Sequence, residues 1–154
     1  MTISTTIAFA QQRAMTVPGV VYAPPGNYPP ALDTALLPAV LTFPGPAGVP
    51  TYSRSARDLY SVTRTYYVAF YLHTLGQGNR NNKIQDGIVM LQEALDAFLH
   101  NRHLDPEVVI MGVTDDTGIT SGRETAGAND QYLTYNGQPY FGFVLSVNIE
   151  EVNL

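Results

Sequence analysis

The chain has 154 residues, no cysteine, and a formal net charge of −5 from eight Lys and Arg against thirteen Asp and Glu. This length predicts one domain, residues 1–154, that can bury a core without metal or disulfide staples. The missing cysteines exclude a disulfide framework, thiol catalysis and thiolate metal sites. The negative charge argues against a protein that grips nucleic-acid phosphates, which requires clustered positive charge.

The surface is predicted to be largely neutral. Only 14% of the residues are charged, against about 25% in average domains. The ten tyrosines favour a surface that becomes an interface, because Tyr is enriched at interfaces, although Tyr is also a common strand residue. We therefore expect a protein that self-associates.

The beginning of the chain carries no cationic segment, and its short apolar run from Ile7 to Ala10 ends at Gln11. We expect no signal peptide. No stretch approaches the ~20 apolar residues of a membrane span. A soluble protein made inside the cell, with no membrane partner, is the resulting expectation.

The N-terminal part is predicted to be a short helix followed by an extended arm. Residues 5 to 14 form the helix, and nine of the eleven prolines follow between Pro18 and Pro50. Proline has no backbone donor and biases the preceding residue toward extended geometry. Residues 1–36 are thus assigned to the helix and the Pro-rich arm, and residues 37–154 to an α+β core.

Several segments of the core are predicted strands. Alternating apolar residues mark the long strand over residues 59 to 73 and the terminal strand, and an Asn-Gly pair predicts a two-residue hairpin before the latter. The short run over residues 108 to 113 predicts a strand buried on both faces. Two further strands are predicted over residues 38–43 and residues 132–135, and a long loop over residues 114–130. The apolar stripe of the terminal strand consists of Phe141, Phe143, Leu145, Val147 and Ile149.

One long helix is predicted over residues 83 to 101, because apolar residues recur there at steps of three and four. We expect this apolar face to cover the stripe of the terminal strand. The predicted fold class is therefore α+β: a small, mainly antiparallel sheet of about four to five strands, with one long helix packed on one face and a Pro-rich N-terminal arm. The residues of the predicted helix face are Ile84, Ile88, Leu91, Leu95 and Phe98.

Motifs that carry chemistry are sparse. His100 and His103, with Asp105 and Glu107 nearby, could be drawn as a zinc or iron site. Cationic side chains at the negative end of a helix explain the histidines as well, and no HExxH-like motif is present. We predict no catalytic, cofactor-binding or metal residue, and no cofactor.

The layout of the core resembles the tail terminator and related neck proteins of tailed bacteriophages, over roughly residues 37 to 154. The resemblance lies in the order of elements and their hydrophobic pattern. The Pro-rich residues 17 to 35 and the insert over residues 114 to 130 have no fixed counterpart there. The segments that carry it are Leu37-Pro38-Ala39-Val40, Thr63 to Leu72, Ile84 to Leu99, Val108 to Val113 and Tyr140 to Val147.

This resemblance implies a structural virion protein that is not an enzyme. Such proteins form a homohexameric ring on the last ring of the tail tube, end tube growth, and offer a docking surface to the head-side connector. The implied partners are other copies of the chain, the tail tube protein and the connector protein, in the virion and, during assembly, in the host cytoplasm. An acidic chain is compatible with a lumen through which genomic DNA slides without specific binding, because negative walls repel phosphates.

The contacts between subunits are predicted to use charged residues beside the long strand and in the long loop, where ion pairs with good geometry can form. Two other functions stay open. One is a small α+β enzyme or ligand-binding domain that uses Asp115, Asp116 and His73 near a pocket; the other is a head-side connector from a neighbouring ring. The predicted interface residues are Arg54, Arg57, Arg64, Asp115, Asp116 and Arg123.

Overall fold

The computed structural model describes residues 3–45, 51–54, 60–74, 80–115 and 133–153. Seven strands and two α-helices lie within them. In chain order the elements are α1 (Ile3–Ala14), a 3₁₀ turn (Thr34–Leu36), β1 (Ala39–Pro44), β2 (Thr51–Arg54), β3 (Tyr60–Thr74), α2 (Arg80–His100), β4 (His103–Asp105), β5 (Val108–Asp115), β6 (Leu133–Tyr135) and β7 (Gln138–Asn153).

The strands form one antiparallel sheet that curls into a half-barrel. Its order is β1-β3-β7-β5-β4, with β2 added along β3 and β6 along β7. The long strands β3 and β7 form the centre, paired from Tyr60 opposite Asn153 to Thr74 opposite Tyr140. The shorter strands flank this central pair: β1 and β2 pair with β3, and β5 and β6 pair with β7.

The main core lies on the face of the sheet that the helices cover. The alternating apolar residues of β7 are buried as the sequence predicts, and Phe143 and Leu145 have no exposed surface. The rings of Phe70 and Phe143 stack across the central strand pair with centroids 4.6 Å apart. Side chains on one face of paired strands meet directly, and here they form a continuous apolar layer.

The predicted sheet of four to five strands under one long helix is wrong. The sheet has seven strands, and two helices contribute to its cover. Helix α1 contacts β1 and β4, whereas α2 contacts β5 and β7, and the two helices also contact each other. The longer helix therefore covers one part of the sheet, and the short N-terminal helix covers the rest.

The predicted apolar face of α2 is confirmed only in part, because Phe98, Leu91 and Leu95 pack on the core and Ile88 does not. Ala94 and Phe98 are fully buried, but Ile88 is 45% exposed, and Leu91 and Leu95 are only partly buried. A small residue at the centre of the contact lets the helix approach the sheet closely. The bulky aliphatic residues beside it therefore lie at the border of the contact or in solvent.

Helix α1, which extends the predicted helix at its start, is held by polar contacts as well as by apolar packing of Ile7, Phe9 and Ala14. Its buried residues are Thr6, Ala10, Gln11 and Ala14. Arg13 donates to the carbonyl oxygens of Ala97 and Asn101, at 3.0 and 2.5 Å. Those carbonyls belong to the C-terminal end of α2, where orphan acceptors require donors. The buried side of α1 is small or polar, so a search for hydrophobic periodicity does not reveal it as a cover for the sheet.

Two further local predictions have different outcomes. The Asn-Gly hairpin is confirmed, because Asn136 and Gly137 have φ angles of 48° and 81°, which a type I′ turn requires. The expectation that residues 108 to 113 are buried on both faces is wrong, since Met111 is 52% exposed. The register of β5 against β7 shifts between Ile110 and Gly112, so the strand loses its regular alternation at that point.

Candidate functional site

The sheet face opposite the helices is partly covered by the arm, defined here as residues 18 to 37. The arm follows the edge of the sheet at β1, where Tyr22 forms a parallel bridge with Ala39. The Tyr28 hydroxyl then donates to the Thr42 carbonyl at 2.8 Å and accepts from the Thr42 amide at 3.0 Å. The arm therefore satisfies backbone groups of the edge strand that would otherwise invite pairing with another chain.

The middle of the arm docks on a group of tyrosines at one end of this face. The Tyr135 hydroxyl donates to the Pro29 carbonyl, and the Asn136 side-chain amide donates to the Pro30 carbonyl at 2.8 Å. The Tyr140 hydroxyl donates to the Leu32 carbonyl at 3.1 Å. The sheet thus holds the Pro-rich segment through the backbone carbonyls that it presents.

Beside the docked arm, the same face forms an open groove of about 410 Å³. Four strands contribute to it: β1, β3, β6 and β7. None of its described lining residues is charged, and four of the eight are aromatic. The lining residues are Phe43, Tyr67, Ala69, Tyr71, Thr134, Tyr135, Asn136 and Val144.

Two tyrosines of this face, Tyr71 and Tyr135, are held in their protonated form. Burial raises the pKa of Tyr71 to about 12, and the neighbouring Tyr135 and Tyr140 act in the same direction. Burial also raises the pKa of Tyr135. The Tyr71 ring lies 5.7 Å from that of Tyr135 and 5.4 Å from that of Tyr140. Near neutral pH these hydroxyls are hydrogen-bond donors, and the groove is a neutral aromatic surface.

A buried polar cluster lies on the other face, under α1. The Glu151 carboxylate is completely buried and accepts hydrogen bonds from Thr6 Oγ1 at 2.9 Å, from the Tyr66 hydroxyl and from the Arg64 guanidinium. Burial, followed by the hydrogen bond and negative charge of Glu151, raises the pKa of Tyr66. A buried charge needs such partners to be tolerated, so this carboxylate serves to join α1 to the centre of the sheet.

Helix α2 presents an apolar ridge beside its buried face, defined as Ile88, Leu95 and Leu99. Seven and four residues separate them, so they lie on one face of the helix. Ile88 and Leu99 are 45% and 46% exposed, and Val89 beside them is 54% exposed. Single exposed aliphatic residues are ordinary on protein surfaces. Here Ile88 and Leu99 align along one helix outside the main core, and Leu95 between them packs partly against that core.

The structure does not bring the predicted interface residues together. Arg64 lies in β3 opposite Ile149, and Asp115 ends β5 opposite Leu145. These positions are four residues apart along β7 and on its two sides, about 16 Å from each other by ordinary strand spacings. Arg64 is paired within the subunit to Glu151. Arg54 ends β2, and Arg57, Asp116 and Arg123 lie outside the described residues.

The residues of the alternative pocket do not line the groove. His73 pairs with Phe141 in the sheet, with the two rings 6.4 Å apart, and Asp115 lies four positions further along β7 on its other side. Asp116 falls outside the described residues. Among residues that the structure describes, no group of three or more His, Asp or Glu side chains is arranged to hold a metal ion. Nor is any of the described helices long and apolar enough to cross a membrane.

The sequence matches no protein-family model and has no significant match among curated proteins. The site is therefore interpreted from its own geometry. Sequence reasoning missed the groove because Tyr67 and Tyr71 share the parity of the threonines and His73 on β3, and alternation alone places that parity on the polar face of the strand. Their rings are the available signal: on a strand they provide apolar area despite their hydroxyl groups.

Proposed function

We propose that this chain is a structural subunit of a ring of the tail-terminator type, in the virion of a tailed bacteriophage. The observation that carries the proposal is the α2 ridge. Ile88 and Leu99 are nearly half exposed although the core of the subunit is complete without them. Aligned apolar residues that stay exposed on a helix are typical of a surface that packs against another protein.

The position of the ridge favours a ring. It lies on the helix side of the sheet, and the opposite side carries the arm and the groove, so the two sides of the subunit are unlike. Contact between one copy's ridge and a different surface of the next copy is heterologous, and such contacts close into rings when the rotation between copies allows it. Six copies are the number that the resemblance to terminators implies.

The chemistry of the described residues also supports a structural role. Glu151 and Arg64 are paired with each other in the buried cluster that joins α1 to the sheet. The described lining of the groove contains no Asp, Glu, His or Lys side chain, and burial raises the pKa of its Tyr71 and Tyr135. A catalytic site needs titratable groups that converge on a cavity, and the cavity of this sheet has none among its described lining residues.

In this proposal the ring caps the tail tube and joins it to the head-side connector. The partners are further copies of the chain, the tube protein and the connector protein, and DNA passes through an acidic lumen without specific binding. The net charge of −5 supports that passage, because like charges repel. Ion pairs of Arg54, Arg57, Asp115, Asp116 and Arg123 across the interface remain part of the proposal.

The test places a charge on the ridge. We expect Leu99→Asp to prevent ring formation, because a desolvated, unpaired carboxylate in an apolar contact costs several kcal/mol. The matched control is Met111→Asp, since Met111 is similarly exposed, at 52%, but lies on β5. Sedimentation velocity at high protein concentration reports the assembly, and circular dichroism reports the fold of each variant.

Rings in the wild type and in Met111→Asp, together with folded monomers in Leu99→Asp, would support the ridge as the contact. The proposal fails if Leu99→Asp assembles as the wild type does, or if the wild type stays a monomer at every concentration and on the tubes of the particle. Because tail terminators can remain monomeric until they meet a tube, the measurement is repeated with purified tail tubes.

A further inference from the structure

The groove on the sheet face opposite the helices has a chemistry of its own, independent of any ring. Its wall combines aromatic rings with side-chain donors, and its described lining residues carry no charge. Such a surface gives a charged peptide no ion pair and leaves its charges partly desolvated. It therefore favours a neutral, extended segment with apolar side chains.

The structure also shows what two of the lining side chains bind. Tyr135 and Asn136 line the groove, and both donate to carbonyl oxygens of the arm's own Pro29 and Pro30. The segment they hold lacks two backbone donors and presents its carbonyls outward, as an extended Pro-rich chain does. The docked arm is thus an example, within the same molecule, of the kind of segment that these lining residues bind.

The groove continues from this established contact. Tyr28, one residue before Pro29, packs edge-on against Phe43 with ring centroids 5.6 Å apart, and Phe43 is the lining residue contributed by β1. Tyr67 and Val144 lie beyond it on the same face, in rows that pair Phe43 with Tyr67 and Ala69 with Val144. The arm therefore borders the groove from its β1 side to its β6 side and leaves the middle open.

We propose that this groove is a docking site for an extended Pro-rich segment of a partner protein. Prolines of the bound segment pack on the rings of Tyr67 and Tyr71, and the hydroxyl groups of these two tyrosines provide donors for its carbonyls, because the Tyr135 hydroxyl and the Asn136 amide already donate to the arm. Pro-rich segments dock in aromatic-lined grooves because their extended conformation is already formed, so little entropy is lost on binding. The inference does not rest on the proposed ring, because the groove and the α2 ridge lie on opposite faces of the sheet.

The probe is a fluorescein-labelled, N-acetylated decamer of proline, compared with a Gly-Ser decamer of the same length. We expect saturable binding of the proline peptide, measured by fluorescence anisotropy, and none of the Gly-Ser peptide. Because the described lining is neutral, the affinity should change less than twofold between 50 and 500 mM salt, whereas binding to charged groups weakens steeply. The arm of the protein stays intact in this experiment.

Two variants test the site from opposite directions. Tyr67→Ala removes an aromatic wall, and we expect it to weaken binding about fivefold or more, as truncation of a central contact residue does. Val144→Trp fills the groove and should abolish binding. The control Met111→Ala removes an exposed apolar side chain on β5 and should leave the affinity unchanged. Circular dichroism and thermal melting show whether each variant is folded.

The proposal is overturned if the proline decamer does not saturate, if the Gly-Ser decamer binds equally well, or if both folded groove variants bind as the wild type does. It is also overturned if the wild type self-associates and folded Val144→Trp does not, since the occupant of the groove is then a second copy of the chain. Failure of the proline decamer to bind a wild type that forms rings would refute this inference alone, whereas saturable binding to a wild type that never forms rings would refute the proposed function alone.

Discussion

The buried hydrogen bond between Tyr66 and Glu151 gives the most direct test of how the subunit is held together. Tyr66→Phe removes a single oxygen atom and keeps the ring, which is fully buried. The Glu151 carboxylate then retains Thr6 and Arg64 as donors but loses the tyrosine hydroxyl. The change isolates one contact in the cluster that joins α1 to the centre of the sheet.

The expected loss is about 1.5–3 kcal/mol, the contribution of a hydrogen bond to a charged group. The upper part of this range applies because Glu151 has no exposed surface, so the lost donor is not replaced by contact with bulk solvent. For a domain of this size, the loss corresponds to a fall of roughly 3–12 °C in Tm. The urea dependence of the unfolding free energy should keep its slope, since the surface exposed on unfolding is unchanged.

The matched control is Tyr67→Phe. Tyr67 is the next residue on β3, faces the groove and is only partly buried, so we expect a loss below about 0.5 kcal/mol, as for most surface substitutions. Urea denaturation at pH 7, followed by circular dichroism, measures both variants. A loss in Tyr66→Phe as small as that in the control would contradict the assigned role of the cluster.

High pH provides a second readout of the same contact. The pKa of Tyr66 is raised in the folded state, so its stabilising contribution is complete below the unfolded pKa, about 10, and is lost as pH rises above it. At pH 11 the unfolded tyrosine is ionised and the folded one is not, which costs the wild type about 1.4 kcal/mol. Tyr66→Phe should lack this part of the alkaline destabilisation.

Two further predictions concern the β3–β7 pair and the tyrosine cluster. Gly142→Ala should destabilise the fold by about 3 kcal/mol or more, because an added Cβ would lie 1.9 Å from the Phe70 carbonyl oxygen. The control Gly112→Ala has open space around its Cβ and should cost much less. Equal melting temperatures of the two variants would contradict this prediction. Tyr71, with its pKa raised to about 12, should make the wild type lose about 1.3 kcal/mol more than Tyr71→Phe between pH 9 and pH 11, and parallel stability curves in urea titrations at those pH values would contradict it.

The central strands and the hairpin were predictable because their signals are local. The alternation of β7 places Phe143 and Leu145 on the buried face whatever lies above them, and Asn136-Gly137 fixes the turn through its own backbone preferences. Burial of a strand face does not specify its cover, however. On α2, Ala94 is fully buried whereas Ile88 is 45% exposed, and a small residue makes little contribution to a hydrophobic pattern.

The contacts of α1 and of the arm were not predictable for a different reason. Gln11 donates to the Val40 carbonyl at 2.6 Å and accepts from the Thr42 hydroxyl at 2.7 Å, and Tyr135 donates to Pro29 from 106 residues away in the sequence. Polar side chains in a sequence do not announce which distant carbonyl they satisfy. The Pro-rich segment was therefore predicted to be an extended arm, although most of it is docked on its own subunit.

The groove was not predictable for the same reason, because its residues meet only in the folded chain. Alternation on β3 identifies two faces, but the hydroxyl groups of Tyr67 and Tyr71 made their face resemble a solvated one. In the structure these rings join Phe43 and Val144, which come from other strands, to form an apolar surface. The composition of a groove depends on which strands are neighbours, and strand order is a non-local property of the chain.

Imaging of the assembled protein tests the central claim, that this chain closes into a ring. Negative-stain micrographs are recorded of the protein at high concentration and of the protein mixed with purified tail tubes. Their class averages show the number of subunits and whether a lumen is present. The account predicts closed rings of six subunits, about 101 kDa for six copies of the 16.8 kDa chain, alone or at the end of each tube. Particles that remain single subunits under both conditions, or that grow into open filaments, would contradict it.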